Sequence, residues 1–121
     1  METGAKSRIL IADDELAILE TTKAILEDDG YEVLTVQAAD EAMSAVEANG
    51  FDLVLVDYKM PGNEHLELVR VLTEQYTECP VIVFTGYPSL PSAIEALHLH
   101  VFDYLPKPVD VDNLRKRVAE A

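Results

Sequence analysis

The sequence predicts an α/β domain in which five parallel strands form one sheet with helices on both of its faces. Five short apolar runs alternate with five segments whose apolar residues recur at helical spacing. The runs show little polar alternation, which is typical of strands that helices cover on both sides. Repeated alternation of strand and helix favours a parallel sheet with right-handed crossovers.

The predicted strands are rich in valine, isoleucine and leucine, the residues favoured in buried strands. In chain order they are Ile9–Ala12, Val33–Val36, Leu53–Val56, Val81–Phe84 and Val101–Leu105.

The first predicted helix runs from Leu16 to Asp28, with Gly30 as its expected stop, because glycine is favoured just beyond a helix end. Asp110 is expected to cap the fifth helix, because a short acidic side chain can accept a hydrogen bond from the first turn. The apolar faces of the second to fifth helices contain Ala42, Met43 and Val46; Leu66, Val69, Leu72 and Tyr76; Ile94 and Leu97; and Val111, Leu114 and Val118.

A chain of 121 residues is long enough for one hydrophobic core. We therefore expect a single domain over residues 1–121, with residues 1–7 as a flexible N-terminal extension. No apolar run approaches the roughly 18 residues of a membrane span, and the polar N-terminus lacks the apolar core of a secretory signal. These features predict a cytoplasmic protein that does not enter the membrane.

The charge balance is strongly acidic, with 9 lysine and arginine residues against 23 aspartate and glutamate residues and a formal net charge of -14. Such a surface would repel nucleic-acid phosphates, so we expect no direct nucleic acid binding. The single cysteine, Cys79, cannot form an internal disulfide. We expect it to be a small buried or half-buried apolar residue.

Polar residues follow four of the five predicted strands. Asp13 and Asp14 follow the first strand, Asp57 the third, Thr85 the fourth, and Lys107 lies just beyond the fifth. Singly, each could be a helix cap, a turn residue or an exposed lysine. In open parallel sheets, however, ligands bind beyond the carboxyl ends of the strands. These five residues therefore form the predicted site.

The chemistry of this set indicates a divalent cation and a phosphoryl group. Three carboxylates at one edge repel one another unless a cation lies between them, and oxygen ligands of this kind suit Mg²⁺ or Mn²⁺. Lys107 adds a positive charge and Thr85 a hydroxyl for phosphoryl oxygens. Asp57 can then act as a nucleophile toward phosphorus and form an aspartyl phosphate.

Four segments resemble the signature segments of response-regulator receiver domains, in the order and at the spacing of that family. They are ILIADDE (Ile9–Glu15), LVLVDYKMPG (Leu53–Gly62), VIVFTGY (Val81–Tyr87) and FDYLPKP (Phe102–Pro108). The resemblance covers essentially the whole chain. Residues Ser92 to Leu97 look closest to the subgroup attached to sigma-54-dependent activators.

The resemblance implies a flavodoxin-like (βα)5 fold with the strand order 2-1-3-4-5. It also implies that Asp57 is the phosphoacceptor. The groups that would hold Mg²⁺ or Mn²⁺ are all oxygen ligands, from Asp13, Asp14, Asp57 and the backbone carbonyl of Lys59.

The resemblance further implies that Thr85 and Lys107 contact the phosphoryl oxygens. Tyr104 matches the switch aromatic, whose ring turns inward when Thr85 moves toward the phosphate. The bond between Lys107 and Pro108 is usually cis in this family, which would aim the ammonium at the site.

The implied function is phosphorelay signal transduction. Asp57 would accept a phosphoryl group from a histidine kinase, a phosphotransfer protein or a small phosphodonor. The signal would reach an output face formed by helix 4, strand 5 and helix 5, through which a homodimer could form. The domain would be regulatory rather than a conventional enzyme, although it would catalyse its own phosphotransfer and dephosphorylation.

Several residues depart from the family pattern. His65 and His100 stand where glycine is usual, in turns whose backbone angles histidine adopts less easily. Pro88 and Pro91 are expected to restrict the loop that follows the fourth strand.

Two other functions stay open on the sequence alone. A haloacid-dehalogenase-type phosphatase also forms an aspartyl phosphate, but there the nucleophile normally ends the first strand and a second aspartate follows two positions later, a spacing that this chain lacks. A phosphorylation-independent binding module with the same fold is favoured by the replaced glycines and opposed by the complete set of site residues.

Overall fold

The computed structural model describes residues 7–58, 60, 67–86, 90–107 and 110–121. In this part of the chain, five strands alternate with five helices, as predicted. The strands are β1 (Arg8–Ala12), β2 (Glu32–Val36), β3 (Leu53–Asp57), β4 (Val81–Thr85) and β5 (Asp103–Pro106). The helices are α1 (Leu16–Asp28), α2 (Ala39–Ala48), α3 (Glu67–Gln75), α4 (Leu90–His98) and α5 (Val111–Glu120).

The strands form one parallel sheet in the order β2-β1-β3-β4-β5, which confirms the predicted fold class and topology. The chain first moves outward from β1 to β2 and then returns past β1 to β3. The direction of winding therefore reverses between β1 and β3, and this is where an open α/β sheet has its ligand crevice.

Two hydrophobic layers cover the sheet, because successive side chains of a strand point to opposite faces. One layer includes Leu10 and Val54 and packs against α2, α3 and α4. The other includes Ile9 and Leu55 and packs against α1 and α5. Strands β3 and β4 are buried along their whole length, as their continuous apolar runs predicted. Among the described residues, no helix is both long enough and apolar enough to cross a bilayer.

The start of the fifth strand differs from the prediction. Val101 was expected to begin it, but the strand begins at Asp103, and Val101 and Phe102 lie between the end of α4 and this strand. Val101 is nevertheless buried and belongs to the layer that packs against α4. Val101 is therefore apolar because it is buried and not because it lies in a strand. An apolar run in the sequence does not distinguish these two reasons.

The capped start of α5 confirms a prediction. Asp110 lies at the N-cap, and its Oδ1 accepts a hydrogen bond from the backbone N–H of Asn113 at 2.9 Å. This bond fixes the point at which the chain enters its last helix.

The end of α1 has the hydrogen bonds of a Schellman motif, with a glycine in the left-handed region. Gly30 has a φ of 95°. Its N–H donates to the carbonyl of Glu27 at 3.0 Å, and the N–H of Tyr31 donates to the carbonyl of Leu26 at 3.1 Å. Gly30 therefore ends the helix as the sequence predicted.

The end of α4 has the same motif with a histidine in the glycine position. His100 has a φ of 62°, and its N–H donates to the carbonyl of Leu97 at 3.0 Å, while the N–H of Val101 donates to Ala96 at 3.4 Å. Histidine adopts this conformation at a cost because its Cβ crowds the backbone. His100 therefore has the left-handed conformation that is expected where glycine is usual, whereas His65 lies outside the described residues.

We expect His100→Gly to stabilise the protein by about 0.5–1 kcal/mol, because relief of the left-handed strain exceeds the extra entropy of glycine in the unfolded chain. Equilibrium urea unfolding measures the change. The matched control is His98→Gly in the last turn of α4, which should lower stability by about 0.3–0.5 kcal/mol because its backbone is helical. A His100→Gly protein no more stable than its parent would contradict the strain.

Candidate functional site

Three carboxylates meet at the winding reversal. Asp13 and Asp14 directly follow β1, and Asp57 is the last residue of β3. Asp13 is completely buried and Asp57 is 6% exposed, whereas Asp14 faces solvent. One carboxylate oxygen of each residue lies within 4.8 Å of the others. The structure therefore brings together the acids that the sequence predicted.

The register of β4 and β5 carries Lys107 to the same place. Thr85 pairs with Pro106, and the backbone N–H of Lys107 donates to the carbonyl of Thr85 at 2.7 Å. The Lys107 side chain is 8% exposed. Its Nζ lies 2.6 Å from Asp13 Oδ2 and 3.2 Å from Asp57 Oδ1.

A third carboxylate also contacts Lys107, and sequence reasoning missed it. Glu15 Oε1 accepts a hydrogen bond from Lys107 Nζ at 3.0 Å. The backbone N–H of Glu15 donates to Asp13 Oδ1 at 2.9 Å. Glu15 stands at the carboxyl end of β1 beside the two predicted acids, and that position was the available signal.

Burial is a main cause of the pKa shifts in this cluster. It raises the pKa of Asp57 from 3.8 to about 7, with the charge of Asp13 acting in the same direction and Lys107 opposing it. Burial also raises the pKa of Asp13, although its hydrogen bond with Lys107 opposes the change. For Lys107 burial acts downward, but hydrogen bonds to Asp13 and Glu15 outweigh it and its pKa is raised. A single ammonium therefore does not neutralise the acids around it.

Thr85 and Tyr104, the two predicted switch residues, lie on the neighbouring strands β4 and β5. Thr85 is buried at the end of β4, next to the acidic edge. Tyr104 lies half-buried on β5 and packs on the layer that contains α4. On the same side, Tyr58 Oη donates to Glu95 Oε1 at 3.5 Å, so the residue after Asp57 contacts α4 directly.

Some predicted features lie outside the described residues. They are the Lys59 carbonyl, the Lys107–Pro108 peptide bond and Pro88. Pro91 falls in the first turn of α4, where a residue without an N–H is tolerated. His98 and His100 are both exposed.

A groove of about 680 Å³ lies at the end of the sheet where the strands begin, opposite the carboxylate cluster. It is located between the C-terminal ends of α2 and α3. It contains none of the predicted site residues. Cys79 lines it, half-buried and free, and burial raises the pKa of its thiol to about 11. The thiol is therefore neutral near pH 7 and a poor nucleophile, which agrees with the apolar role expected of it.

The acidic edge fits a hard divalent cation. Asp13, Asp14 and Asp57 offer oxygen ligands within reach of one another, and one positive charge from Lys107 leaves them with excess negative charge. Such a set suits Mg²⁺, which binds through few carboxylates and completes its shell with water and phosphate oxygens.

Fold and site together define a doubly wound α/β domain whose acidic edge suits a divalent cation and a phosphoryl group. The sequence pattern of the response regulator receiver domain matches residues 9–119. The chain therefore belongs to the response-regulator receiver family, whose members are regulatory domains of two-component systems. Phosphorylation on aspartate and Mg²⁺ binding at an acidic pocket are typical of this family.

The named relatives are longer than this chain. Alginate biosynthesis transcriptional regulatory protein AlgB of Pseudomonas aeruginosa is 34% identical, over 99% of this chain and 27% of AlgB. Response regulator protein PilR of the same species is 35% identical, over 97% of this chain and 26% of PilR. This chain thus spans about a quarter of the length of these relatives.

Solved receiver domains have the same fold. The response regulator receiver domain protein (CheY-like) from Methanospirillum hungatei JF-1 superposes with a TM-score of 0.91 at 37% identity, covering 96% of this chain and 93% of that one.

The raised pKa of Asp57 predicts how the stability of the metal-free protein depends on pH. Below pH 3.8 the group is protonated in both the folded and the unfolded state. Between this value and about 7, only the folded state holds the proton, so stability falls as pH rises.

We therefore expect the urea midpoint in the presence of EDTA to fall between about pH 4 and about pH 7, and Asp57→Asn to reduce this fall. Glu20→Gln, which removes one exposed charge from α1, is the control and should keep the wild-type slope. If the urea midpoint of Asp57→Asn fell with pH as steeply as that of the wild type, other groups would cause the pH dependence of stability.

Proposed function

We propose that this receiver domain accepts a phosphoryl group on Asp57 in a reaction that requires a divalent cation. The observation that carries the proposal is the convergence of two buried carboxylates and one buried ammonium at the winding reversal of the sheet. Lys107 Nζ lies within 3.2 Å of both Asp13 and Asp57. Membership of the receiver family gives the same expectation.

Asp13, Asp14 and Asp57, with the Lys59 backbone carbonyl as a further ligand, would hold Mg²⁺ or Mn²⁺. When bound, the cation neutralises charge on the carboxylates and on the phosphoryl oxygens. The residues of the chain supply position: Asp57 is fixed by β3, and Lys107 is fixed by its backbone bond to β4.

The transfer step is a displacement at phosphorus. A carboxylate oxygen of Asp57 forms the new O–P bond while the bond from phosphorus to the donor breaks, and the donor leaves with the electron pair. With acetyl phosphate the leaving group is acetate. Lys107 and Thr85 then bind phosphoryl oxygens through charge-assisted and hydroxyl hydrogen bonds.

The same contacts would drive the switch. Charge-assisted hydrogen bonds contribute about 1.5–3 kcal/mol each, and about 5.5 kcal/mol reverses a two-state population from 1:99 to 99:1. Two or three bonds made only in the phosphorylated state are therefore sufficient. Movement of Thr85 toward the phosphate would let Tyr104 turn inward beside α4.

The output face would be the surface of α4, β5 and α5. Ile94 and Leu97 in α4 and Phe102 just before β5 expose 44%, 66% and 43% of their area. We propose that a homodimer or a partner covers them, that a cytoplasmic histidine kinase or phosphotransfer protein supplies the phosphoryl group, and that no nucleic acid binds this domain directly. Its subgroup, that of sigma-54-dependent activators, stays a prediction.

Acetyl phosphate and Mg²⁺ should add the mass of one phosphoryl group to the protein, and Asp57→Asn should abolish the adduct, because the amide is a much weaker nucleophile. Intact-protein mass spectrometry measures both. Asp14→Asn serves as a comparison that keeps Asp57 and should slow the reaction without abolishing it. A wild-type protein that stays unmodified would favour a phosphorylation-independent binding module, and rapid turnover of unrelated phosphate esters would favour a phosphatase.

Mg²⁺ should stabilise the protein, by about 2.7 kcal/mol at a hundred times the dissociation constant, because the folded site alone assembles the ligands. Thermal unfolding at several Mg²⁺ concentrations gives the affinity. Asp14→Asn should weaken it, while Glu20→Gln should not. Equal stabilisation of the parent and Asp14→Asn would remove Asp14 from the ligand set.

A further inference from the structure

The ammonium of Lys107 has as many acceptors as it has protons. Its Nζ lies 2.6 Å from Asp13 Oδ2, 3.0 Å from Glu15 Oε1 and 3.2 Å from Asp57 Oδ1, and an ammonium has three protons to donate. A phosphoryl oxygen that binds this ammonium must therefore displace one of the three carboxylates.

The three carboxylates differ in how easily they can be displaced. The side chains of Asp13 and Asp57 are 0% and 8% exposed, whereas that of Glu15 is 62% exposed. A buried carboxylate that loses a contact with a cation cannot be rehydrated, whereas an exposed one can. The contact with Glu15 is therefore the one that is exchanged at least cost.

The local backbone directs Glu15 toward Lys107. Glu15 occupies the N-cap of α1, but its side chain makes no capping hydrogen bond. Its own N–H is held by Asp13 Oδ1 at 2.9 Å. With the main chain fixed in this way, the Glu15 carboxylate contacts Lys107 and makes no hydrogen bond to the first turn of α1.

We propose that Glu15 is a positioning residue that holds the Lys107 ammonium until a phosphoryl group on Asp57 takes its place. This inference rests on the proposed function. The Glu15 carboxylate and the phosphoryl group are both anions that need the same N–H, so they compete for it and repel each other. Glu15 therefore disfavours phosphorylation and stabilises the unphosphorylated state.

The first test compares rates of adduct formation with acetyl phosphate and Mg²⁺. Glu15→Gln keeps the shape of the side chain and removes its charge, so we expect a rate about two- to fivefold above wild type at low salt. High salt should bring the two rates together, because exposed charges are screened. Glu20→Gln changes the net charge equally but lies away from the site, and should react at the wild-type rate.

A Glu15→Gln rate equal to or below wild type at low salt would overturn the proposal. So would a rate increase that is as large at high salt, since a purely structural effect of the substitution would not be screened.

The second test observes the Lys107 ammonium by ¹⁵N NMR in metal-free, unphosphorylated protein. In Glu15→Gln its signal should shift and its protons should exchange faster with water, while Glu20→Gln should leave both unchanged. An unchanged Lys107 signal in Glu15→Gln would show that the contact is absent. If wild type forms no adduct, the proposed function fails and the role of Glu15 in phosphorylation fails with it, whereas this signal still reports separately whether Glu15 holds the ammonium.

Discussion

The ion pair between Lys107 and the buried carboxylates is the interaction on which the site depends. Asp13 and Asp57 lie side by side with almost no contact with water, an arrangement that is unfavourable without a nearby cation. The sheet order makes their meeting unavoidable, because β1 and β3 are neighbours and both end at the same edge. The β4–β5 register then delivers Lys107 to the gap between them.

The close packing of charged side chains at the strand ends also explains why the site is suited to a reaction. Excess negative charge favours a divalent cation, and fixed strand ends hold a nucleophile and a cationic side chain at short distance. Lys107 and Thr85 are joined through the backbone as well, at 2.7 Å between nitrogen and oxygen. In the proposed mechanism, displacement of the ammonium toward a new anion would thereby be linked to β4, and through Thr85 to the side of the sheet on which Tyr104 and α4 lie.

Periodicity and strand-end chemistry were sufficient to predict the element order, the sheet and the acids that converge. They misplaced the start of β5, because Val101 is apolar for burial and not for strand formation. They missed Glu15, because an exposed acid that begins a helix has the same pattern whether or not a lysine 92 positions away reaches it. The left-handed His100 was anticipated only by comparison with a family, since a histidine does not by itself predict that backbone region.

Lys107 also acts as a counter-ion that the protein itself supplies. Folding and the ability to be phosphorylated can therefore have different requirements. A cluster of acids that depended on Mg²⁺ alone would make the folded population follow the supply of the ion. Because Lys107, just beyond β5, supplies this ammonium, we expect the domain to fold without Mg²⁺, so that the ion affects the rate of the response more than the amount of folded protein.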